Sequence, residues 1–127
     1  MTLRCVIVDD SPAVLRAAGD LLEAQGISVV GVAATGAEAL SLMEELEPDV
    51  MLIDIDLGRE SGLQLARRLS ERFVTSRTCL ILSSTHGEAD YADLIAASPA
   101  IGFLPKSDLS ATAIRRLVAL ARDEGHH

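Results

Sequence analysis

Acidic side chains end two of the short apolar segments in this 127-residue chain. Asp9 and Asp10 follow the first segment, and Asp54 ends the third. Three carboxylates brought together would repel one another, so such a cluster requires a bound cation. Hard oxygen ligands with room for water and a phosphate oxygen suit Mg²⁺, or Mn²⁺ in its place. A carboxylate beside such an ion can attack a phosphoryl donor.

A hydroxyl group and an ammonium group could complete such a site. Ser83 and Ser84 end the fourth apolar segment, and a hydroxyl there could donate a hydrogen bond to a phosphoryl oxygen. Lys106 follows the fifth segment and could neutralise charge on the transferred oxygens. Taken singly, an aspartate after a strand is more often a turn or cap residue, and a lone lysine is usually solvated. The functional interpretation depends on all these groups meeting at one edge of a sheet.

Five apolar segments predict β-strands. They are Leu3–Val8, Ile27–Ala33, Val50–Ile53 with Asp54 at its end, Thr78–Ser83 and Ile101–Leu104. Because helical segments alternate with these strands, right-handed crossovers predict one parallel sheet with helices on both faces. The expected fold class is α/β, doubly wound, with five strands in the order 2-1-3-4-5 and five helices.

The first two helices carry start and stop signals. Ser11-Pro12 opens the first, because serine caps a helix and proline is tolerated at the first helical position. Gly26 suits the left-handed residue that follows a helix. Thr35 and Glu38 have the spacing of a capping box for the second helix.

The remaining helices are predicted from apolar spacing. The third carries Leu63 to Leu69 and follows a loop, marked by Gly58 and Gly62, that we expect to be flexible. The fourth is expected near Ala89–Ala97, where the apolar stripe is weak. The fifth spans Ala113–Ala121.

Length and composition limit the class of protein. The chain suits one compact domain, and a formal net charge of −8 argues against direct binding to nucleic acid. No apolar stretch approaches the ~20 residues that span a bilayer and no signal peptide opens the chain, so we expect a cytoplasmic domain without membrane contact. Residues 125–127 end in two histidines and are interpreted as a tag remnant, which leaves residues 1–124 as the domain.

Two cysteines fall on strands that the expected order does not make neighbours. Cys5 lies on the first strand and Cys79 on the fourth, with the third strand between them. Two strand spacings of roughly 4.8 Å each exceed the reach of a disulfide. We therefore expect free, buried thiols.

Together these motifs resemble the receiver domain of bacterial two-component response regulators over residues 3–124. The likeness lies in the Asp9-Asp10 pair, in Pro48–Asp54 with Gly62 eight residues further on, and in Phe103-Leu-Pro-Lys106. It implies a flavodoxin-like fold and a signalling domain in a phosphorelay. Such a domain is not an enzyme, apart from its own phosphorylation and dephosphorylation. Its phosphoryl group would come from a histidine kinase or a phosphotransfer protein.

The resemblance implies roles for the charged positions. Asp54 would be the phosphoacceptor. Asp10 and Asp54 would ligate magnesium directly, and Asp9 would act largely through water. The backbone carbonyl of Asp56 would complete the protein ligands, and Lys106 would be the lysine of the site.

The resemblance also implies switch and tuning positions. Ser84, thirty residues after the phosphoacceptor, matches the switch hydroxyl, and Ser83 is the alternative if the register shifts by one. Phe103 falls at the aromatic rotamer switch. Asp56 and His86 would tune the lifetime of the phosphorylated state.

Phosphorylation would then switch the surface made by the fourth helix, fifth strand and fifth helix. This surface could also form a homodimer, and it could control a transcription-regulator output domain outside this chain. Several residues depart from the family pattern, Gly58 and Ser107 among them. Gly58 replaces a common proline, which implies a more mobile loop, and Ser107 replaces another, which makes a cis peptide after Lys106 less secure.

Three other classes of protein share some of these features. A receiver fold that acts as a phosphorylation-independent interaction module would be favoured by loss of an acid or of the lysine, and neither is lost. A phosphatase-type hydrolase could use Asp54 and Asp56 as its acid pair, but that class places the pair after the first strand and needs a longer chain. A flavodoxin needs a Ser/Thr/Gly-rich phosphate loop and stacking aromatic residues, which the sequence lacks.

Overall fold

The computed structural model describes residues 2–85 and 91–124. Strands and helices alternate along this part of the chain. The elements are β1 (Arg4–Val8), α1 (Pro12–Ala24), β2 (Ser28–Ala33), α2 (Gly36–Leu46), β3 (Val50–Asp54), β4 (Asp56–Leu57), β5 (Glu60–Ser61), α3 (Gly62–Arg72), β6 (Cys79–Ser84), α4 (Ala92–Ala96), β7 (Gly102–Pro105), a short 3₁₀ helix (Lys106–Asp108) and α5 (Ala111–Glu124).

Five of the strands form one parallel sheet in the order β2-β1-β3-β6-β7. This confirms the predicted order 2-1-3-4-5, with β6 and β7 as the fourth and fifth predicted strands. In the strand register, Val50 lies between Cys5 and Cys79. Both cysteines are free and buried, as expected, and burial raises the pKa of the Cys5 thiol to about 12.

Hydrophobic cores lie on both faces of the sheet. Alternate residues of the central strands point to opposite faces, which explains their continuous apolar sequences. One face packs against α2, α3 and α4 through residues that include Met51, Ile53, Leu82, Leu65 and Ile95. The other packs against α1 and α5 through residues that include Ile7, Leu52, Ile81, Leu22 and Ile114.

The predicted helix signals are confirmed. The Ser11 hydroxyl accepts a hydrogen bond from the Val14 N–H at 3.3 Å, and Gly26 has φ +92° after α1. The Thr35 hydroxyl accepts from the Glu38 N–H at 3.2 Å. The Glu38 carboxylate reaches back to the N–H of residue 34 at 3.0 Å, one residue earlier than in a standard capping box.

The predicted flexible loop after β3 is instead a β-hairpin. Strands β4 and β5 pair antiparallel, with Leu57 opposite Glu60, and Gly58 lies in the turn at φ +59°. Leu57 is 2% exposed and belongs to the core cluster beneath α3. The paired backbone and this apolar anchor order a segment in which the sequence showed only glycine signals.

Several element boundaries differ from the prediction. Helix α4 spans Ala92–Ala96 with Tyr91 at its N-cap, whereas the sequence predicted Ala89–Ala97, of which residues 89 and 90 lie outside the described residues. Strands β6 and β7 end one residue later than predicted, and α5 is longer at both ends. The peptide bond between Lys106 and Ser107 is trans.

No helix in the described ranges has the length and apolar character that a bilayer span requires.

Gly62 lets the start of α3 approach β3 closely. A methyl group at this position would overlap the backbone carbonyl oxygen of Asp54 and lie 2.9 Å from the Ile55 Cα. Gly62→Ala is therefore expected to lower the free energy of unfolding by about 2–3 kcal/mol, as measured by urea denaturation. Gly19 on α1 is the control, because a methyl group there meets nothing within 4 Å. Gly19→Ala should raise the free energy of unfolding by about 0.5–1 kcal/mol, and equal effects of both substitutions would contradict the packing argument.

Candidate functional site

The three acidic residues meet where β1 and β3 end. Asp9 follows β1 and is 3% exposed, Asp54 ends β3 and is 6% exposed, and Asp10 is exposed. Carboxylate oxygens of all three lie within 4.8 Å of one another. The parallel sheet therefore brings together the acids that the sequence predicted to converge.

Lys106 joins this acidic cluster from the other side. Its ammonium nitrogen lies 2.8 Å from Asp9 Oδ2 and 3.2 Å from Asp54 Oδ2. The side chain reaches the pocket from the start of the 3₁₀ helix that follows β7. Lys106 is the single lysine of the chain. One ammonium cannot balance three carboxylates, so the four side chains together carry excess negative charge.

The two buried carboxylates are held by hydrogen bonds to both oxygens. The Asp56 N–H donates to Asp54 Oδ1 at 3.1 Å, and Lys106 donates to Asp54 Oδ2. The Ser11 N–H donates to Asp9 Oδ1 at 2.9 Å, while Asp9 Oδ2 is paired with Lys106. Each carboxylate is thus fixed in orientation by one backbone N–H and one shared ammonium.

The electrostatics of the pocket favour a cation. Burial raises the pKa of the Asp54 carboxyl, and the nearby charge of Asp9 raises it further. The Asp56 N–H and the Lys106 ammonium act in the opposite direction without cancelling this effect. Burial lowers the pKa of Lys106, but its hydrogen bond to Asp9 and the charges of Asp54 and Asp9 outweigh burial and raise it. The raised pKa of Lys106 keeps its ammonium charged at neutral pH.

The donor atoms suit a hard divalent cation. Mg²⁺ prefers oxygen ligands and keeps several waters, which an exposed Asp10 carboxylate beside two buried ones would permit. Gly58 borders this carboxylate, because a methyl group there would lie 3.1 Å from Asp10 Oδ2. Asp9, Asp10 and Asp54 could therefore hold Mg²⁺ or Mn²⁺.

The two candidate serines lie side by side at the end of β6. Ser83 is opposite Asp54 in the strand register and lines a small cavity with Asp9 and Lys106. Ser84 is fully buried. Because successive strand residues face opposite sides, Ser84 faces the side of α2, α3 and α4, where Phe103 packs. The structure thus places Ser83 beside Asp54 and Ser84 on the opposite face of β6.

Tyr91, which no sequence pattern singled out, borders the site. The Tyr91 hydroxyl donates to Asp56 Oδ2 at 3.4 Å, across the gap between the hairpin and the start of α4. This contact joins residues that are 35 positions apart in the sequence, and no local sequence pattern predicts such a contact. The Asp56 carbonyl as a metal ligand stays a prediction, and His86 lies outside the described residues.

Comparison with known proteins identifies a family. Residues 5–118 match the family model described as the response regulator receiver domain. A protein-glutamate methylesterase/protein-glutamine glutaminase of Hahella chejuensis is 34% identical over 101 residues, which are 80% of this chain and 29% of that protein. An uncharacterized transcriptional regulatory protein of Bacillus subtilis, YvfU, is 34% identical over 120 residues, 91% of this chain and 59% of that protein. The chain thus spans less than two thirds of either relative.

Solved structures show the same architecture. A two-component response regulator of the LuxR family from an Aurantimonas species superposes with a TM-score of 0.83 at 26% identity. The match covers 94% of this chain and 86% of that one. It supports the flavodoxin-like, doubly wound arrangement over nearly the whole chain.

Replacing the charged Asp54 with a neutral isostere tests the electrostatics of the pocket. Asp54→Asn is expected to raise the unfolding temperature of the metal-free protein at neutral pH. Because the folded-state pKa of Asp54 is raised, ionising this carboxyl destabilises the fold as the pH rises through that pKa. The amide removes the charge, keeps an oxygen for the Asp56 N–H, and leaves Lys106 paired with Asp9.

Thermal unfolding in EDTA between about pH 3 and about pH 8 measures this effect. The increase in unfolding temperature of Asp54→Asn over wild type should vanish at the lowest pH, where wild-type Asp54 is protonated in both the folded and the unfolded state. The same substitution at the exposed Asp20 of α1 is the control and should change stability by less than about 0.5 kcal/mol. An Asp54→Asn protein less stable than wild type at neutral pH would refute the argument.

Proposed function

This chain belongs to the response regulator receiver domain family, and from that premise we propose that it accepts a phosphoryl group on Asp54 in a magnesium-dependent reaction. The observation that carries the proposal is one cluster of side chains. Carboxylate oxygens of Asp9, Asp10 and Asp54 lie within 4.8 Å of one another, and Lys106 bridges Asp9 and Asp54. The donor would be a histidine kinase or a phosphotransfer protein of a two-component system.

In the proposed reaction, a carboxylate oxygen of Asp54 attacks the phosphorus of a phosphohistidine. The new oxygen–phosphorus bond forms as the phosphorus–nitrogen bond breaks, and the electron pair leaves with the imidazole nitrogen. The Asp56 N–H and Lys106 hold the carboxylate in a fixed orientation before the attack. Magnesium, when bound by Asp9, Asp10, Asp54 and the Asp56 carbonyl, supplies positive charge that offsets the phosphoryl oxygens.

Lys106 and Ser84 would respond to the new charge. Phosphorylation adds up to about two negative charges, so the ammonium and the hydroxyl would move toward the phosphoryl oxygens. These residues stand at the ends of β7 and β6. Phe103 lies on β7, the strand that leads directly to Lys106. Phe103 belongs to the core cluster that also contains Ile95 of α4. Movement at the site would therefore reach α4 through Phe103.

The output surface is proposed to be the face formed by α4, β7 and α5. Leu94 on α4 and Leu120 on α5 are each 56% exposed, which supports a contact surface with a partner or in a homodimer. The named relatives are longer than this chain, and one is a transcriptional regulatory protein. We propose that this domain likewise regulates a transcriptional output domain. Esterase activity is named for relatives of which this chain covers less than a third.

The phosphorylated state is proposed to reset by hydrolysis of the acyl phosphate. The exposed carboxylate of Asp56 lies next to the phosphoacceptor and would influence the approach of water, together with His86. The alternative, a phosphorylation-independent interaction module, needs none of these groups. The convergence of the three acids and the lysine in one cluster favours the phosphoacceptor.

Phosphorylation is tested with acetyl phosphate and MgCl₂, followed by intact-protein mass spectrometry. Wild type should gain the mass of one phosphoryl group, because the nucleophile and its neutralising charges are in place. Asp54→Ala should gain nothing, whereas Asp20→Ala, which removes an exposed acid of α1, should gain as wild type does. If wild type gains no mass and also fails to bind a phosphate analogue with magnesium, the interaction module becomes the better account.

Metal dependence has a separate test. Adding MgCl₂ at about 100 times its dissociation constant should stabilise wild type by about 2.7 kcal/mol, because the ion binds only the folded pocket. EDTA should reverse the gain, and Asp10→Ala should lose most of it. Thermal unfolding with and without MgCl₂ measures the effect. An equal gain in wild type and Asp10→Ala would place magnesium elsewhere.

A further inference from the structure

The hairpin that follows the phosphoacceptor is attached to α2 by one side chain. Both carboxylate oxygens of Glu60 accept from the Gly36 N–H, at 3.0 and 3.3 Å. Gly36 is the first residue of α2, whose N-cap residue Thr35 instead accepts from Glu38. Glu60 therefore satisfies a different N–H from the cap, one of those that a helix start leaves without an intrahelical partner. The contact joins segments 24 residues apart in sequence.

Gly36 provides the space for this carboxylate. A methyl group at Gly36 would lie 2.6 Å from Glu60 Oε1, too close for the observed contact. Its next neighbour would be Leu65 Cδ1 at 3.4 Å, an ordinary packing distance. A methyl group would therefore displace the flexible Glu60 side chain and leave the helix and core in place.

The other side of the same hairpin borders the acidic cluster. Leu57 pairs with Glu60, and Gly58 follows in the turn against the Asp10 carboxylate. At the base of the hairpin, the Asp56 N–H donates to Asp54 Oδ1. One small unit thus contacts α2 at Glu60 and two of the three acids at its turn and base.

We propose that Glu60 is a positioning residue for the divalent cation site, acting through the hairpin β4–β5. The inference rests on the proposed function of that site. Two strands of two residues each cannot hold a fixed position by their own pairing, and Leu57 anchors only β4 in the core. Fixing Glu60 on α2 keeps Gly58 against Asp10 and the Asp56 amide on Asp54. The carboxylates are then ordered before the ion arrives, and binding does not have to order them.

A simple charge effect makes a different prediction. If Glu60 acted only by adding a distant negative charge, then Gly36→Ala, which keeps that charge, would leave cation affinity unchanged. If Glu60 acts by position, Gly36→Ala and Glu60→Ala remove the same contact. Their effects should then be equal and should not add.

The experiment is a Mg²⁺ titration by isothermal calorimetry on wild type, Glu60→Ala, Gly36→Ala and the double variant. Each single variant should bind about tenfold more weakly, in the range seen when residues that orient metal ligands are removed. The double variant should bind no more weakly than the weaker single variant. Glu60→Gln should stay near wild type, because its amide oxygen still accepts from Gly36.

Glu44→Ala is the matched control. Glu44 is also an acid at the surface of α2, and its carboxylate lies 3.7 Å from Arg72. Its loss removes one negative charge without touching the hairpin, so Mg²⁺ affinity should match wild type. Thermal unfolding in EDTA should show that all variants are folded, and Gly36→Ala, which disturbs only the flexible Glu60 side chain, keeps the test valid should Glu60→Ala fail to fold.

Each outcome decides the inference. Wild-type affinity in Gly36→Ala or in Glu60→Ala would overturn it. So would an additive loss in the double variant, or a loss in Glu60→Gln equal to that in Glu60→Ala. If wild type itself binds no Mg²⁺, the proposed function and the inference fail together. If wild type binds Mg²⁺ and takes up phosphoryl while the variants are unchanged, only the inference fails.

Discussion

Negative charge concentrated at the carboxyl ends of β1 and β3 is the constraint around which this domain is organised. The buried carboxylates of Asp9 and Asp54 each take one backbone N–H and share one ammonium, and Asp10 adds a third charge at the surface. Lys106 offsets part of this charge. The sheet and its two cores keep the acids from moving apart, so the remaining imbalance is available to a cation and, in our proposal, to phosphoryl chemistry.

The same constraint gives the surrounding elements their roles. The hairpin β4–β5 lies between α2 and the acids, and Gly62 brings α3 against the backbone of Asp54. On the far side, β7 carries Phe103 into the core and then delivers Lys106 to the pocket. In the proposed function, a change of charge at Asp54 would reach α2 through the hairpin, α3 through Gly62 and α4 through the core around Phe103.

The central part of the fold and of the site could be predicted from the sequence, because apolar strands buried on both faces stop abruptly where polar function begins. That signal located Asp9, Asp10, Asp54 and Lys106, and strand order followed from alternation with helices.

The hairpin could not be predicted, since two-residue strands carry no periodicity. Neither could the contacts of Glu60 and Tyr91, which join distant segments. The sequence could not decide which of Ser83 and Ser84 is the switch hydroxyl, because shifting a strand by one residue moves each side chain to the opposite face of the sheet. The roles of His86 and of the switch residues stay predictions.

The single lysine of the chain has a practical consequence for work on this protein. Reagents that acylate or alkylate primary amines have two kinds of target here, the α-amino group and the Nζ atom between Asp9 and Asp54. Acylating that Nζ with a dye or a resin would remove the positive charge from the pocket. Thiol chemistry offers no easy substitute, because Cys5 and Cys79 are buried. An attachment point on this domain is therefore best introduced as a new surface cysteine or a terminal peptide tag.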